Sequence, residues 1–294
     1  NLMSKKIGLF WLRDDFRITK NHGLAEATKN HDQVVVFYLY KKSIFKNQEA
    51  QKWWLSKSLF NFKKKLNNFN IALEIIETES FEVFFDKLLK KKDISIYWNK
   101  VYEPDYLKFD QHLLKNLKIK NIFYGIFKGN TLNEISEIKK SDGTPFKVFT
   151  PFWRNAEKHY IEKIPSKEKI IKKCLRKKNY FQNCINADEI LPKKKWFKNF
   201  EKIWLPDEES ALKELKIFIK NRIVNYSDDR NFPNKIGTSK LSPFIKFGQI
   251  HVETIWSECM KTKNKTIGIS KFLAEIGWRE FNHTLINYFP HMLT

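Results

Sequence analysis

Short apolar runs alternate with amphipathic segments along the first 125 residues of the chain. The runs carry few polar residues, and continuous apolarity over strand length is typical of strands buried on both faces of a parallel sheet. Strands are predicted at residues 6–12, 33–40, 71–77, 94–98 and 121–124. The intervening segments repeat their apolar residues with the period of a helix. This alternation predicts an α/β, Rossmann-like domain with a parallel sheet over residues 4–130.

Beyond residue 130 the alternation stops, and the chain becomes first basic and then helical. Residues 162–202 carry 13 Lys and Arg against 5 Asp and Glu, a net charge of +8, and contain Pro165 and Pro192. Such a segment is typical of a solvated connection between domains, and contact with a DNA backbone is the alternative interpretation. We therefore predict a linker over residues 131–205 and an all-α domain over residues 206–294.

The last amphipathic segment, which begins near Ser270, has two distinct faces. One face is apolar and holds Leu273, Gly277, Phe281 and Leu285 at steps of four residues. The other face mixes aromatic, charged and polar side chains, namely Phe272, Glu275, Trp278, Arg279 and Asn282. Charged groups are costly to bury without partners. This mixed face therefore predicts either a ligand site or a surface ion pair between Glu275 and Arg279 beside a half-buried Trp.

A hydroxyl-rich turn at residues 237–242 (GTSKLS) precedes Pro243 and an apolar run. Small residues allow a backbone to approach a ligand closely, and hydroxyls with free N–H groups before a helix suit a phosphate. Ser242 and Pro243 have the residue types of an N-cap and a first helical position. Two interpretations stay open from these residues alone, a phosphate-binding turn and an ordinary capped helix.

The composition adds a strong positive charge and many aromatic rings. The 294 residues include 55 Lys and Arg against 33 Asp and Glu, a net charge of +22. Such an excess attracts polyanions, so nucleic-acid binding is one interpretation and a solvated Lys-rich surface is the other. The 26 Phe, 10 Tyr and 9 Trp residues offer rings for stacking on bases or on a flat cofactor, although most are expected in the core.

Several functional classes lack support in the sequence. The three Cys residues have no metal-ligand spacing and are too few for a disulfide framework, which favours the reducing cytoplasm. The seven His residues are scattered, so no metal site is expected. No apolar run is long enough to span a membrane, and no membrane partner is expected. The first strand is not followed by a G-x-G-x-x-G fingerprint.

Ligands of doubly wound sheets bind beyond the carboxyl ends of the strands. In this chain those ends carry polar residues at 13–15 (RDD) and at 99–103 (NKVYE). Ordinary loop polarity and helix capping explain such residues equally well. The two loops are therefore candidates for one side of a ligand site, with a purely structural role as the alternative.

Five separated segments stand in one order along the chain. They are residues 11–24 (WLRDDFRITKNHGL), 98–106 (WNKVYEPDY), 147–154 (KVFTPFWR), 237–248 (GTSKLSPFIKFG) and 275–291 (EIGWREFNHTLINYFPH). Together they resemble the DNA photolyase/cryptochrome family, most closely the microbial class I cyclobutane pyrimidine dimer photolyases. The resemblance covers nearly the whole chain, and the order of five motifs is far more specific than any one of them.

The resemblance implies an N-terminal antenna domain, a long linker and a helical domain that holds FAD in a U shape. In this family the reduced flavin absorbs blue light and gives an electron to a pyrimidine dimer flipped out of the DNA. It thus implies a monomeric deoxyribodipyrimidine photo-lyase, a carbon–carbon lyase that acts on damaged DNA. A cryptochrome-like blue-light photoreceptor is the alternative. Asp105-Tyr106 stands where folate-type members commonly carry Asn-Glu, so any second antenna chromophore is expected to be something other than folate.

The resemblance also implies roles for individual residues. Arg230 matches a DNA-contacting Arg, Glu275 the Glu that hydrogen-bonds the dimer, and Trp278 the Trp on which the dimer packs. Flavin contacts fall on Tyr226, Thr238, Ser239, Lys240, Leu241, Ser242, Phe272 and Arg279. Lys240 stands where members often carry Arg, and it gives no bidentate fork to a phosphate. Phe272 stands where Trp or Gln is frequent. Glu275 and Trp278 are therefore the expected catalytic residues, and together with the basic charge they favour repair over signalling.

By analogy with the family, a third or more of a typical member would follow Thr294. That part would carry the acidic residues and the Asn around the flavin, and the Trp chain used for photoreduction. The chain is therefore expected to be a fragment of a longer protein that holds half of a flavin pocket. A remnant without function is the further alternative.

Overall fold

The computed structural model describes residues 6–161, 168–174, 180–262 and 266–293. Its strands are β1 (Ile7–Leu12), β2 (Gln33–Tyr40), β3 (Ala72–Glu77), β4 (Ile94–Asn99), β5 (Phe123–Phe127) and β6 (Cys184–Ile185). They form one sheet in the order β5-β4-β1-β2-β3-β6. All neighbouring strands from β5 to β3 are parallel, whereas β6 is antiparallel to β3. The sheet confirms the predicted α/β class.

Four helices connect the parallel strands and lie in pairs on the two faces of the sheet. They are α1 (His22–Asn30), α2 (Glu49–Asn67), α3 (Phe81–Leu88) and α4 (Pro104–Ile119). Asn21 begins α1 because its side-chain oxygen accepts the Leu24 N–H at 3.2 Å. Ser80 caps α3 in the same way, with the Val83 N–H at 3.3 Å. Pro104 occupies the start of α4, where its missing N–H costs nothing.

Seven further α-helices follow the parallel strands within the described residues. They are α5 (Phe149–Ile161), α6 (Phe200–Ile203), α7 (Glu208–Asn221), α8 (Tyr226–Asp229), α9 (Ser242–Lys246), α10 (Val252–Met260) and α11 (Ile267–Tyr288). The long α11 begins three residues earlier than predicted, because the Thr266 side chain accepts the Ile269 N–H at 3.3 Å. Its predicted apolar stripe is buried at Leu273, Gly277 and Phe281. None of the described helices is long and apolar enough to cross a membrane.

The α/β part and the helical part share one hydrophobic core. Trp54 of α2 lies at the junction, with its ring centroid 5.1 Å from that of Phe244 and 5.5 Å from that of Trp204. Its indole N–H donates to the Gln249 side-chain oxygen at 3.0 Å. A second cluster, which includes Trp11 and Phe37, fills the opposite face of the sheet. The domain limits at residues 130 and 205 stay predictions, since the core runs across them.

The loop after β1 ties the sheet to the helical part. Arg17 is 1% exposed and donates to the Gly248 carbonyl at 2.8 Å. Glu208, at the start of α7, accepts the backbone N–H groups of Ile18 and Thr19, each at 3.0 Å. Arg13 bonds the Asp110 carboxylate at 3.0 Å within the sheet domain. These buried charges have partners, so this loop fixes the position of α9 relative to the sheet.

The basic linker differs from a solvated connection where the structure describes it. Two of its residues form β6, which extends the sheet beyond β3. Lys173 is 8% exposed, and its ammonium donates to the carbonyls of Thr28 and His31 at 2.5 and 2.6 Å. Five of the predicted basic residues lie outside the described part of the chain: Lys163, Lys167, Arg176, Lys177 and Lys178. The described linker segments are therefore partly built into the α/β domain.

Candidate functional site

The mixed face of α11 forms one wall of a cavity of about 590 Å³. All five residues that the sequence places on this face line the cavity, namely Phe272, Glu275, Trp278, Arg279 and Asn282. Helical spacings of three and four residues bring such side chains to one side of a helix. His283 and Ile286 extend the same wall toward the end of α11. The two-faced pattern of the sequence thus corresponds to a helix with one buried face and one cavity face.

The opposite wall meets α11 at an aromatic corner. Tyr226 of α8 lines the cavity, and its ring lies edge-on to that of Phe272, with centroids 5.3 Å apart. Both rings also pack against Phe218 of α7, at 5.5 and 4.7 Å. Phe218 is fully buried, so the corner rests on the core. Tyr226 and Phe272 therefore occupy fixed positions at the junction of the two walls.

The hydroxyl-rich turn contributes only part of its predicted residues to the cavity. Ser239 and Ser242 line it. Thr238 and Lys240 are exposed and are absent from the described lining, and Lys240 adopts a left-handed φ of 56°. Leu241 is fully buried in the hydrophobic core. The side chain of Leu241 thus anchors the turn, while the two serines are the ones placed to meet a ligand.

The prediction that Ser242 is the N-cap is wrong. Ser242 is the first residue of α9, Leu241 precedes it as the N-cap, and no side chain caps the helix. The Ser239 hydroxyl instead accepts the Leu241 N–H at 3.3 Å. The turn packs so closely on α8 that a Cβ on Gly237 would lie 2.6 Å from the Asp229 backbone. The hydroxyl of Ser242 is consequently not used by the helix start.

The two charged residues of α11 bond to different partners rather than to each other. Glu275 accepts a hydrogen bond from Arg230, which follows α8. That bond is the main cause that raises the pKa of Arg230, with a smaller contribution from Tyr226. Arg279 donates to the Asn130 carbonyl at 2.6 Å, and burial lowers the pKa of its guanidinium. The interpretation of a surface ion pair between Glu275 and Arg279 is therefore wrong.

Trp278 presents one face of its ring to an aromatic neighbour that the sequence reasoning missed. Its ring is stacked on Phe149 of α5, with centroids 3.8 Å apart and planes 9° from parallel. Phe149 is in turn parallel to Trp153, which packs on Gly277, where a Cβ would lie 2.3 Å from the indole. Trp278 itself is 43% exposed. The three aromatic residues of the segment 147–154 were the signal in the sequence that could have indicated this contact.

The loops at the carboxyl ends of β1 and β4 form the floor of the cavity. Lys246 of α9 bridges the carboxylates of Asp14 and Glu103, at 3.3 and 2.8 Å. Burial raises the pKa of Asp14, and Lys246 opposes that change. His283 lies on the cavity wall with its Nε2 buried and without a hydrogen-bond partner among the described residues. Burial lowers the pKa of His283 to about 3, so the imidazole is neutral at physiological pH.

A second cavity, of about 620 Å³, lies beside the first at the same edge of the sheet. Its lining includes Lys41, Phe81, Glu103, Tyr106, Phe109 and His112. The rings of Phe81 and Tyr106 lie 5.9 Å apart, and Glu103 lines both cavities. No group of three or more His, Cys, Asp or Glu residues in the described ranges is placed to hold a metal ion. Both cavities lie at the carboxyl edge of the sheet, where doubly wound sheets bind their ligands.

Glu280 is a buried carboxyl on the inner side of α11 that the sequence reasoning also missed. It is 4% exposed and accepts the Leu132 N–H, which joins α11 to the segment after β5. Burial is the main cause that raises its pKa to about 7, and the Leu132 N–H and the nearby Arg279 oppose that change. The carboxyl therefore titrates near neutral pH within the folded protein.

Replacing Glu280 by Gln is expected to make stability less dependent on pH. The folded pKa of about 7 lies above the ordinary value of 4.5, so the folded state holds a proton that the unfolded state releases between those pH values. The unmodified protein should therefore lose stability relative to Glu280→Gln as pH rises through this window, by up to roughly 3 kcal/mol. Urea unfolding at pH 5 and pH 8 measures the difference. Equal pH dependence in Glu280→Gln and in the unmodified chain would exclude a raised pKa, and the exposed Glu209→Gln serves as control.

Comparison with known proteins shows which family the chain resembles. A family model described as DNA photolyase matches residues 8–169. The chain is 30% identical to a deoxyribodipyrimidine photo-lyase from Agrobacterium fabrum, over 97% of this chain and 60% of the relative. It is 25% identical to cryptochrome-2 of Arabidopsis thaliana, over 98% of this chain and 50% of the relative. The chain therefore spans about 60% or less of the length of these curated relatives.

A solved structure shares the fold closely. The class III photolyase from Agrobacterium tumefaciens matches with a TM-score of 0.85 at 29% identity, over 97% of this chain and 60% of that one. The predicted family is confirmed, whereas the narrower resemblance to class I is not, because similar proteins include this class III member. The family match covers more than half of the residues, and the chain therefore belongs to the DNA photolyase family.

Proposed function

We propose that the chain acts in the light-driven repair of cyclobutane pyrimidine dimers in DNA, as a deoxyribodipyrimidine photo-lyase that uses reduced FAD. The observation that carries the proposal is the single cavity shared by Glu275, Trp278, Tyr226 and two serines of the hydroxyl-rich turn. Under this proposal Glu275 and Trp278 face the lesion, and the two serines face a phosphate of FAD, across the same cavity. The relative from Agrobacterium fabrum, which is named a photo-lyase, supports the same reaction.

The cavity residues fit a flat ring system joined to a diphosphate. Tyr226 and Phe272 offer aromatic surface, and the hydroxyls of Ser239 and Ser242 are free to donate to phosphate oxygens. Arg279 adds a cation. A volume of about 590 Å³ lies within the usual range for cofactor sites, about 300–1,000 Å³. Reduced FAD, when bound, supplies the electron that splits the dimer under blue light.

The protein's own contribution is to hold the lesion out of the duplex and against this cavity. The exposed part of Trp278 is a stacking surface for a flipped pyrimidine, backed by Phe149 on its other side. Stacking of a base on an aromatic side chain contributes about 1–3 kcal/mol. The Glu275 carboxylate can accept a hydrogen bond from a pyrimidine N–H. The net charge of +22 attracts the DNA backbone to the protein irrespective of base sequence.

The unmodified chain is expected to bind a duplex that contains one thymine dimer about 5- to 150-fold more tightly than the same undamaged duplex, because stacking adds about 1–3 kcal/mol. Fluorescence anisotropy at one fixed salt concentration measures both affinities. A cryptochrome-like photoreceptor is the second candidate, favoured by the similarity to cryptochrome-2. A receptor has no need of a lesion-binding face, so equal affinities would support it and exclude repair.

We further propose that the second cavity holds a flat antenna chromophore. Phe81, Tyr106 and Phe109 supply aromatic surface, while Lys41 offers a cation to a phosphate or carboxylate. Glu103 separates this cavity from the first, so two ligands would lie side by side at the carboxyl edge of the sheet. The lining favours a conjugated ring over an aliphatic ligand, and an absorption band distinct from flavin in the purified protein would test it.

A further inference from the structure

Arg230 and Glu275 form an ion pair at the cavity although they are separated by 45 positions in sequence. The guanidinium of Arg230 lies between two cavity residues, 5.6 Å from the Tyr226 ring centroid and bonded to the Glu275 carboxylate. Glu275 and Tyr226 line the cavity, whereas Arg230 is not part of the described lining. The guanidinium therefore stands at the edge of the cavity, between the site and the surrounding surface.

The pair is accessible enough to be broken by a competing anion. The side chains of Arg230 and Glu275 are 26% and 34% exposed. Ion pairs with this degree of exposure contribute little net stability, because solvent screens them. A phosphate carries the same geometry for a guanidinium as a carboxylate does. A DNA phosphate at the edge of the cavity can consequently replace Glu275 as the partner of Arg230.

We propose that Arg230 is a positioning residue that exchanges partners when DNA binds. In the free protein it neutralises Glu275, and on DNA its guanidinium moves to a backbone phosphate, which leaves the carboxylate free to face a flipped base. Capture of the backbone and recognition of the base are thus coupled at one ion pair. This inference rests on the proposed function, because it needs DNA at the Trp278 face of the cavity.

The exchange has an unusual consequence for undamaged DNA. On an undamaged duplex no base enters the cavity, so breaking the ion pair brings no compensating hydrogen bond to Glu275. Removing the carboxylate should therefore strengthen binding of undamaged DNA, by about 2- to 5-fold, since a partly exposed pair no longer has to be broken. On dimer-containing DNA the same change removes an acceptor for the base, so the preference for the dimer should fall.

The test compares variants of the full chain on one undamaged duplex across a series of salt concentrations. Glu275→Gln is expected to bind about 2- to 5-fold more tightly than the unmodified chain. Glu258→Gln is the matched control, because Glu258 also pairs with a cation, Lys261, and its loss changes the net charge equally. In an Arg230→Gln background the gain from Glu275→Gln should fall to the level of this control.

The dependence of DNA affinity on salt concentration distinguishes partner exchange from an Arg230–Glu275 ion pair that stays intact on DNA. If Arg230 moves to a phosphate, Arg230→Gln should lower the slope of log affinity against log salt by about 0.9, and Arg230→Lys should preserve the slope. An unchanged slope in Arg230→Gln would overturn the inference. So would a gain in Glu275→Gln no larger than that in Glu258→Gln. Either of these two results would overturn the partner exchange alone, because the unmodified chain could still prefer dimer-containing DNA. If the unmodified chain bound no duplex at all, the proposed function and this inference would both be overturned.

Discussion

Replacing Gly248 by Ala is expected to lower the free energy of unfolding by about 2–5 kcal/mol. Gly248 has a φ of +66°, and this left-handed conformation costs about 1–2 kcal/mol for a residue with a Cβ. The added Cβ would also lie 1.8 Å from the Asp14 carbonyl oxygen, and overpacking against a fixed backbone costs about 1–3 kcal/mol. Urea unfolding measures the loss directly.

Gly143→Ala provides the matched control for that substitution. Gly143 also has a positive φ, +79°, but a Cβ there would meet nothing within 4 Å. Gly143→Ala should therefore lower the free energy of unfolding only by the cost of the left-handed conformation, about 1–2 kcal/mol. A Gly248→Ala chain no less stable than the Gly143→Ala chain would show that the contact between the loop after β1 and α9 is not tightly packed. That contact also holds Lys246 of α9 at the cavity floor.

Replacing Trp278 by Ala is expected to weaken binding of dimer-containing DNA by about 5- to 150-fold, the equivalent of about 1–3 kcal/mol of stacking. Affinity for undamaged DNA should change much less, because phosphate contacts supply it. The affinity of Trp278→Phe for dimer-containing DNA should lie between those of the unmodified chain and Trp278→Ala, since Phe keeps a smaller ring. Retention of FAD should fall less than dimer binding, because Tyr226 and the two serines lie on the opposite wall.

Trp196→Ala is the control for a general effect of losing an exposed Trp. Trp196 is 41% exposed, close to the 43% of Trp278, but it is outside the described lining of the cavity. It should leave the dimer preference unchanged. If Trp278→Ala kept the full preference, or lost dimer binding and FAD to the same extent, the proposed stacking role of Trp278 would be untenable.

The pattern of apolar positions was sufficient for the sheet and most helices, because each strand from β1 to β4 is long and buried on both faces. It was less accurate at β5, which begins two residues later than predicted and extends to Phe127. The edge strand β6 was missed because two residues carry no periodic signal, and its position depends on pairing with Ile75 and Ile76 of β3. Lys173 was expected in solvent, but it is buried, and its ammonium donates to two backbone carbonyls that are distant in sequence.

At the site, too, local spacing in the sequence predicted some features, whereas contacts between residues distant in sequence were not predicted. Helical spacing alone gathered the five residues of the mixed face, and they share one cavity. Spacing also made Glu275 and Arg279 look like partners, since residues four apart are neighbours on a helix. Their real partners, Arg230 and Asn130, lie 45 and 149 positions away. Tertiary packing sets such pairs, so a single sequence could not indicate them.

The measurement that tests the central proposal most directly is the loss of thymine dimers from a defined duplex, under blue light and in the dark. The full chain would be supplied with FAD and a reductant, and intact dimers would be counted over time. Loss of dimers in blue light, with none in the dark, is the expected result, and Trp278→Ala should abolish most of it. Equal loss in the dark, or no loss in light by a chain that binds both FAD and the dimer, would contradict light-driven repair.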